Sequence, residues 1–275
     1  MIRRLYLENV YGTRFHFNYQ SGVLISMLSG LGFSNEYTYL KYENQYDQVE
    51  RVIPLTEISA MLTFLKGYLG YKCFLDYIQQ NEQNLKLHYQ TIETAFCYID
   101  IKSLSKSALI GGALQSEISF NKKSLWLKEK AISIDVNTDC FGKVFPYSYP
   151  FIYSSAYEGK VSIANKGIVK APLKIEMYGA VDNPEVNILK NGEIVSSLKL
   201  NVSSLDCAIT VSSNPTIQYM SMNEAGNITN IYQDQDFTCD NFLFLGVGEY
   251  EIEYKPGVST LTSCRITILE GYLGN

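Results

Sequence analysis

The sequence predicts a mainly β protein, with an N-terminal β-domain carrying one amphipathic helix and a C-terminal β-sandwich or jelly roll. Three observations lead to this prediction. Short alternating segments separated by turn residues recur along the whole chain. Only one segment combines helical spacing of apolar residues with signals for a helix start and end. At 275 residues, the chain is long enough for two domains with separate cores.

Strand signals dominate the first half of the chain. Residues 37–43 and 95–104 alternate with the period of two that a strand with two unlike faces requires. Residues 73–78 and 85–89 are predicted to form a hairpin, because a polar stretch of Gln, Asn and Glu separates them. The N-terminal half is therefore expected to be largely sheet.

The one predicted helix covers residues 57–69. Thr56 is its expected N-cap, and Glu57 lies in the first turn, where the helix dipole favours a carboxylate. Gly67 or Gly70 is expected to end the helix in the left-handed conformation. The apolar positions with helical spacing are Ile58, Met61, Leu62, Leu65 and Leu69.

A domain boundary is predicted where the periodicity lapses. Residues 135–151 lack a regular pattern, and Pro146 and Pro150 would rigidify a connection there. The predicted domains are residues 1–138 and 139–275.

The second half is predicted to be entirely β. Asn191-Gly192 is a strong hairpin signal, because a type I′ turn needs two positive φ values. Strands of similar length at regular spacing indicate a sandwich or jelly roll. The predicted strand segments are residues 160–165, 171–179, 185–200, 207–213, 216–221, 249–254 and 264–269.

Composition narrows the class of protein. With 46% hydrophobic and 19% charged residues and a net charge of −5, the chain has no basic footprint for nucleic acid. No signal peptide or apolar run long enough to span a bilayer is found, so synthesis in a reducing cytoplasm without membrane insertion is expected. Six scattered cysteines are expected to be free and mostly buried.

A search for chemistry yields no catalytic, cofactor-binding or metal-ligating residue to predict. His16 and His88 lack partners at metal-ligand spacing, and residues 29–33 contain two glycines without the context of a phosphate-binding loop. The three glutamates of residues 249–254 share one strand face opposite two tyrosines and an isoleucine. That pattern favours a solvated face over a carboxylate pair for glycoside hydrolysis.

The order of segments resembles the distal tail proteins of long-tailed phages or prophages of Gram-positive bacteria. The resemblance starts with "LYLENVYGTRFHF" and "LISMLSGLGF" and continues through "FCYIDIKSLSKS" and "LQSEISFNKKSLW". It extends through "FPYSYPFIYSSAYEGKVSIANKGIVKAPLKIEMYGAVDNPEVNI" to "LFLGVGEYEIEY". The family-pattern turn positions at the start of the second sandwich are Asn165, Gly167, Gly179, Asn183 and Pro184.

What the resemblance implies is a mechanical role at the tail tip of the virion. Six copies would close into a ring through the N-terminal domains, and a second ring could stack on the first. The ring would join the major tail tube protein to the tail-associated lysin or fibre-base protein. The C-terminal domain would be galectin-like and point outward, towards receptor-binding proteins. A closed ring needs two different patches on each subunit.

The subunit interface is predicted to include the tyrosine-rich residues 35–48. The chain has 22 Tyr, and this stretch concentrates aromatic side chains in a segment charged enough to stay soluble. It is expected to form an arm or edge strand that reaches the neighbouring subunit. The predicted contact residues are Tyr37, Tyr39, Tyr42 and Tyr46.

Two alternatives stay open. The second sandwich would serve as a carbohydrate-binding module for a cell-wall glycan, which a glycan array would detect. A glycoside hydrolase or esterase is the other, and loss of activity on mutation of a single Glu would support it.

Overall fold

A computed structural model describes residues 4–80, 84–136, 159–259 and 261–274. The chain forms two compact units, one of Met1–Lys128 with Tyr272–Asn275 and the other of Glu129–Gly271. The predicted domain boundary between residues 138 and 139 lies outside the described residues and stays a prediction.

The described residues of the N-terminal unit form antiparallel strands and one helix. Its elements in chain order are β1 (Arg4–Glu8), β2 (Arg14–His16), β3 (Val23–Ser29), β4 (Glu36–Tyr42), β5 (Gln45–Val52), β6 (Thr56–Phe64), α1 (Gly67–Gln79), β7 (Leu85–Gln90), β8 (Thr94–Leu104), β9 (Leu109–Ile110), β10 (Ala113–Lys122) and the beginning of β11 (Trp126–Val136).

Most of these strands pair in the order β2-β1-β7-β8-β10-β6-β3, with β9 beside β10. Alternate side chains face a common core, to which β1 contributes Leu5 and Leu7 and β7 contributes Leu85 and Leu87. The helix adds Phe74 to the same core. Among the described residues, β4 and β5 pair only with each other.

The predicted helix over residues 57–69 is wrong, because most of that segment is strand β6. The strand buries Ile58, Ala60, Leu62 and Phe64, which alternate with a period of two. Ile58 and Leu62 satisfy both periods, so the sequence pattern alone was ambiguous. Pairing with β10 on one side and β3 on the other decides for the strand.

The predicted strand over residues 73–78 is also wrong, and these residues belong to helix α1. Gly67 and Gly70 lie in the first turns of this helix and do not end it. Its buried face includes Tyr71 and Phe74, and Leu75 and Ile78 pack partly buried against the core. These positions have helical spacing, which the short window 73–78 concealed. The hairpin that contains β7 is therefore formed with the following strand, β8.

The described part of the second unit is a β-sandwich with a short 3-10 turn at Tyr232–Asp234. Its remaining strands are β12 (Gly159–Asn165), β13 (Ala171–Asp182), β14 (Glu185–Lys190), β15 (Glu193–Lys199), β16 (Ser203–Ser212), β17 (Tyr219–Glu224), β18 (Asn227–Asn230), β19 (Phe244–Leu245), β20 (Gly248–Lys255) and β21 (Thr262–Tyr272, of which Tyr272 belongs to the first unit).

Two antiparallel sheets form this sandwich, in the orders β18-β17-β16-β13-β21 and β12-β20-β14-β15. Both sheets contribute to one core, for example Ile175 and Ile209 from the first and Ile188 and Ile252 from the second. Asn191 and Gly192 have φ values of 55° and 84°, which confirms the predicted tight turn between β14 and β15. The mainly β fold with one helix is confirmed, whereas the galectin-like character stays a prediction.

Candidate assembly surface

The hairpin of β4 and β5, called the arm hairpin below (residues 36–52), is exposed along both of its strands. Every residue of both strands is exposed, including Tyr39 at 53% and Tyr46 at 67%. A two-stranded hairpin standing alone in water is at best marginally stable. An exposed hairpin with apolar side chains is therefore typical of a surface that a partner covers.

Strand register divides the side chains of the arm hairpin between two faces. Tyr37 pairs with Arg51 and Lys41 pairs with Tyr46, and directly paired residues lie on the same face. The rings of Tyr37 and Tyr39 lie 6.0 Å apart, which places both on that face. Three of the four predicted contact tyrosines, Tyr37, Tyr39 and Tyr46, therefore share one face.

Tyr42 lies on the opposite face of the arm hairpin, where it pairs with Gln45. The sequence alternation predicted this separation from Tyr37 and Tyr39, but it did not predict where the second strand would place Tyr46. A bulge opposite Thr38 and Tyr39 leaves Val49 as the extra residue of β5. The structure thus brings three predicted residues together and separates the fourth.

The base of the arm hairpin is attached to the core by polar contacts. The buried Trp126 donates its indole N–H to the carbonyl oxygen of Leu31 at 2.8 Å. The Nζ of Lys122 donates to the carbonyl oxygen of Gly32 at 2.9 Å, and burial lowers the pKa of Lys122. Gly30 has a φ of 78°, and a Cβ there would lie 2.0 Å from the carbonyl oxygen of Glu57. Only glycine permits this close approach.

A cavity of about 310 Å³ lies beside the same base. Phe33, Ile53 and Leu55 contribute apolar wall and are themselves 53%, 40% and 63% exposed. The apolar surface of the arm hairpin thus continues into a concave region at its base. No sequence motif indicated this cavity, because its walls come from the segments before β4 and after β5 and from the turn after β10.

The family-pattern positions Asn165 and Gly167 form a buried turn in the second unit. The Asn165 side chain accepts a hydrogen bond from the Gly167 N–H at 2.9 Å. Its amide donates to the carbonyl oxygens of Val169 and Leu245 at 2.9 and 3.0 Å. A Cβ on Gly167 would lie 2.7 Å from the carbonyl oxygen of Gly271. These two residues serve the architecture of the sandwich.

Gly179, Asn183 and Pro184 form a second structural group. Gly179 has a φ of 100° at a bulge in β13, and Asn183 has a φ of 50° in the turn before β14. The Asn183 N–H donates to the carbonyl oxygen of Val202 at 2.8 Å. The Pro184 carbonyl oxygen accepts from the Leu200 N–H at 3.0 Å. Together they join the end of β13 to the start of β14.

The glutamates of β20 do not all behave as predicted. Glu249 and Glu251 are exposed, as a solvated face requires. Glu253, however, is only 4% exposed and pairs with Lys160 at 2.7 Å and Lys255 at 3.2 Å. Burial opposes its ionisation, yet hydrogen bonds from Lys160 and Asn187 hold the pKa of Glu253 below its usual range. It is a buried ion-paired carboxylate within the sandwich.

His88 of the N-terminal unit is a buried histidine with a shifted pKa. It is 7% exposed and stacks on Tyr6 with ring centroids 4.4 Å apart. Its Nε2 lies 3.6 Å from a carboxylate oxygen of Glu8. Burial lowers the pKa of His88 to about 4, against the opposing effect of Glu8. At neutral pH His88 is uncharged, and it acts as an aromatic packing residue.

Within the described residues, no cluster of three or more His, Cys, Asp or Glu side chains forms a metal site. No helix among them is long and apolar enough to cross a membrane. Of the described cysteines, Cys97, Cys207 and Cys264 are buried free thiols, and burial raises the pKa of Cys97 to about 12.

Structural comparison identifies solved proteins with a similar fold. The chain is similar to chains of the phage p2 baseplate in its activated conformation, solved with strontium and with calcium. The TM-score is 0.77 in both cases, at 15% identity and with 100% of each chain covered. This likeness shows that the whole chain has the fold of those baseplate chains.

A second structural match has a more specific description. The chain is similar to the Dit protein of phage SPP1, described as a paradigm of the hub of the adsorption apparatus in phages that infect Gram-positive bacteria. The TM-score is 0.61 at 11% identity, covering 98% of this chain and 99% of that one.

A family model matches part of the chain. Residues 4–123 match the family model described as "Distal tail protein, N-terminal domain". The matched segment lies within the first unit and contains the whole arm hairpin. No curated protein sequence matches the chain.

Proposed function

We propose that this protein is a structural hub subunit of a phage tail tip. Six copies close into a ring through their N-terminal units. The ring joins the tail tube to a tail-associated lysin or fibre-base protein, and the second unit faces outward towards receptor-binding proteins. The protein acts in the virion of a phage or prophage of a Gram-positive host, by holding partners in place and not by catalysis.

The observation that carries this proposal is the exposed arm hairpin inside the family-matched segment. Its four tyrosines expose between 43% and 67% of their surface, although tyrosine is a residue that interfaces prefer to bury. The match of residues 4–123 and the full-length likeness to baseplate chains support a position in the tail tip.

A ring of identical subunits also explains why the arm hairpin is not covered by its own chain. A heterologous contact needs one surface that reaches out and a different surface that receives it. The exposed arm hairpin supplies the projecting surface of the N-terminal unit.

The test is the mass in solution, measured by size exclusion with light scattering and followed by negative-stain imaging. A species of about six protomer masses that appears as a ring with a central hole is expected. A glycan array, run in parallel, is expected to be blank. A chain that stays monomeric at high concentration and binds a cell-wall glycan would overturn the hub function in favour of a carbohydrate-binding module.

A further inference from the structure

The two faces of the arm hairpin carry opposite charge. The face that holds Tyr37, Tyr39 and Tyr46 also holds Lys41 and Arg51 and has no carboxylate, as the strand register shows. We name this the tyrosine face. The opposite face, named the acidic face, holds Glu36, Asp47 and Glu50 together with Leu40, Tyr42 and Val52, and it has no cation.

This separation of charge follows from the pairing of the two strands and is not visible in the linear sequence. Lys41 and Asp47 are both near the tip, yet Lys41 pairs with Tyr46, whereas Asp47 pairs with Leu40 on the other face. Glu43 lies in the connecting turn and belongs to neither face. Without the bulge at Val49, the residues beyond it in β5 would point to the opposite face.

Both faces are open to a partner. The apolar residues of the tyrosine face expose 43% at Tyr37 and 67% at Tyr46, and Leu40 on the acidic face exposes 51%. The tyrosine face carries two cations, and the acidic face carries three carboxylates. A surface that is positive on one face and negative on the other is complementary to a second copy of itself placed face to face.

We infer that the tyrosine face of one arm hairpin packs on the acidic face of the arm hairpin of the next copy. This inference rests on the proposed ring and identifies its contact. Each copy offers one face of each charge, so the contact is head to tail and repeats around the ring. Tyrosine rings cover the apolar residues of the neighbouring acidic face, and the charged pairs set the direction and register.

Charge reversal provides the test, using the full chain. Lys41→Glu/Arg51→Glu makes both faces negative, and Asp47→Lys/Glu50→Lys makes both positive. Each variant alone is expected to raise the dissociation constant of the ring by about 10-fold to 100-fold, because like charges then face each other. A Lys72→Glu/Lys166→Glu variant makes the same change in net charge away from the arm hairpin and is expected to leave the constant unchanged.

The decisive measurement is whether ring assembly is restored when the charges are complementary again. The two variants mixed in equal amounts are expected to form rings with alternating subunits, which six positions allow. One chain carrying all four substitutions is also expected to assemble, because its faces have exchanged charge. Light scattering over a concentration series gives the dissociation constants. Thermal unfolding of each chain shows that the protomer is intact, since none of the four residues belongs to the core.

The outcomes separate this inference from the proposed function. Rings that form equally well in every variant would overturn the face-to-face contact and leave the hub function standing. Variants that weaken the ring without restoration by the mixture or the fourfold change would also overturn it. Absence of rings from every chain and mixture, together with binding of the unmodified chain to a cell-wall glycan, would overturn both.

Discussion

The indole Nε1 of Trp126 lies 2.8 Å from the carbonyl oxygen of Leu31, and this hydrogen bond joins the core of the N-terminal unit to the base of the arm hairpin. Trp126 is fully buried, whereas the arm hairpin that begins five residues after Leu31 is exposed throughout. An anchor of this kind restricts the projecting segment before a partner binds. It therefore lowers the conformational entropy that the segment loses on binding.

Replacement of Trp126 tests this anchor. Trp126→Phe removes the donor and leaves a gap, so we expect the free energy of unfolding to fall by about 1–3 kcal/mol. Hydrogen exchange at residues 31–35 is expected to accelerate more than in the rest of the unit. Leu62→Ala, which damages the same core without touching the anchor, is the control. Equal acceleration at residues 31–35 in both variants would contradict the role of Trp126.

The tyrosine pair of the arm hairpin is expected to matter for assembly and not for folding. Tyr37→Ala/Tyr39→Ala should raise the dissociation constant of the ring by about 10-fold to 100-fold, as expected for two aromatic contacts of an interface. The free energy of unfolding should change by less than about 0.5 kcal/mol. Light scattering and chemical denaturation measure the two quantities.

Tyr11→Ala/Tyr19→Ala is the matched control for that variant. These tyrosines are 84% and 80% exposed in the same unit but lie outside the arm hairpin. If both double variants assemble equally well, the arm hairpin is not the ring contact.

Asn165 is expected to be needed for the fold of the second unit. Its amide nitrogen donates to the carbonyl oxygens of Val169 and Leu245. Asn165→Asp would therefore place a buried carboxylate oxygen against these two carbonyl oxygens. We expect a loss of about 3 kcal/mol or more in the free energy of unfolding of this unit. Asn230→Asp is the control, because the exposed Asn230 side chain accepts from the Tyr232 N–H through Oδ1, a role that aspartate retains. If chemical denaturation shows a similarly small change in the free energy of unfolding for both variants, Asn165 is not needed for the fold of the second unit.

His88 makes the stability of the N-terminal unit depend on pH. Its pKa is lowered from 6.5 to about 4 by burial, so the unfolded chain binds a proton at a higher pH than the folded one. The contribution of uncharged His88 to the free energy of unfolding is fully present above pH 6.5 and is lost as the pH falls towards 4. The loss is expected to be about 1–3 kcal/mol.

Substitution isolates this effect. His88→Phe keeps an aromatic ring beside Tyr6 and Phe96 but removes the titrating group. Denaturation curves of both proteins at several values between pH 7 and pH 4 are expected to show a shallower loss of stability in the variant. Identical slopes would show that another group causes the pH dependence.

Sequence patterns identified most strands of the second unit and β4, β7 and β8 of the first, but they failed at residues 57–79. Ile58 and Leu62 satisfy a helix and a strand equally, and only the partners β3 and β10 make the strand the better solution. The true helix follows directly, and its buried Tyr71 and Phe74 pack on the core that β6 helps to form. Local periodicity does not contain these long-range contacts. Sequence patterns therefore predicted a helix on the segment that forms β6 and a strand on the segment that forms α1.

The sequence by itself determined the mainly β architecture, the tight turn at Asn191-Gly192 and the concentration of tyrosines in residues 35–48. Each depends on neighbours in the chain, through the period of two in a strand or the φ preference of a turn residue. Only the tertiary structure decided which tyrosines share a face, because the bulge at Val49 and the pairing of Lys41 with Tyr46 set the register. Pairing across strands is a non-local interaction, and it alone separates the cations of the arm hairpin from its carboxylates.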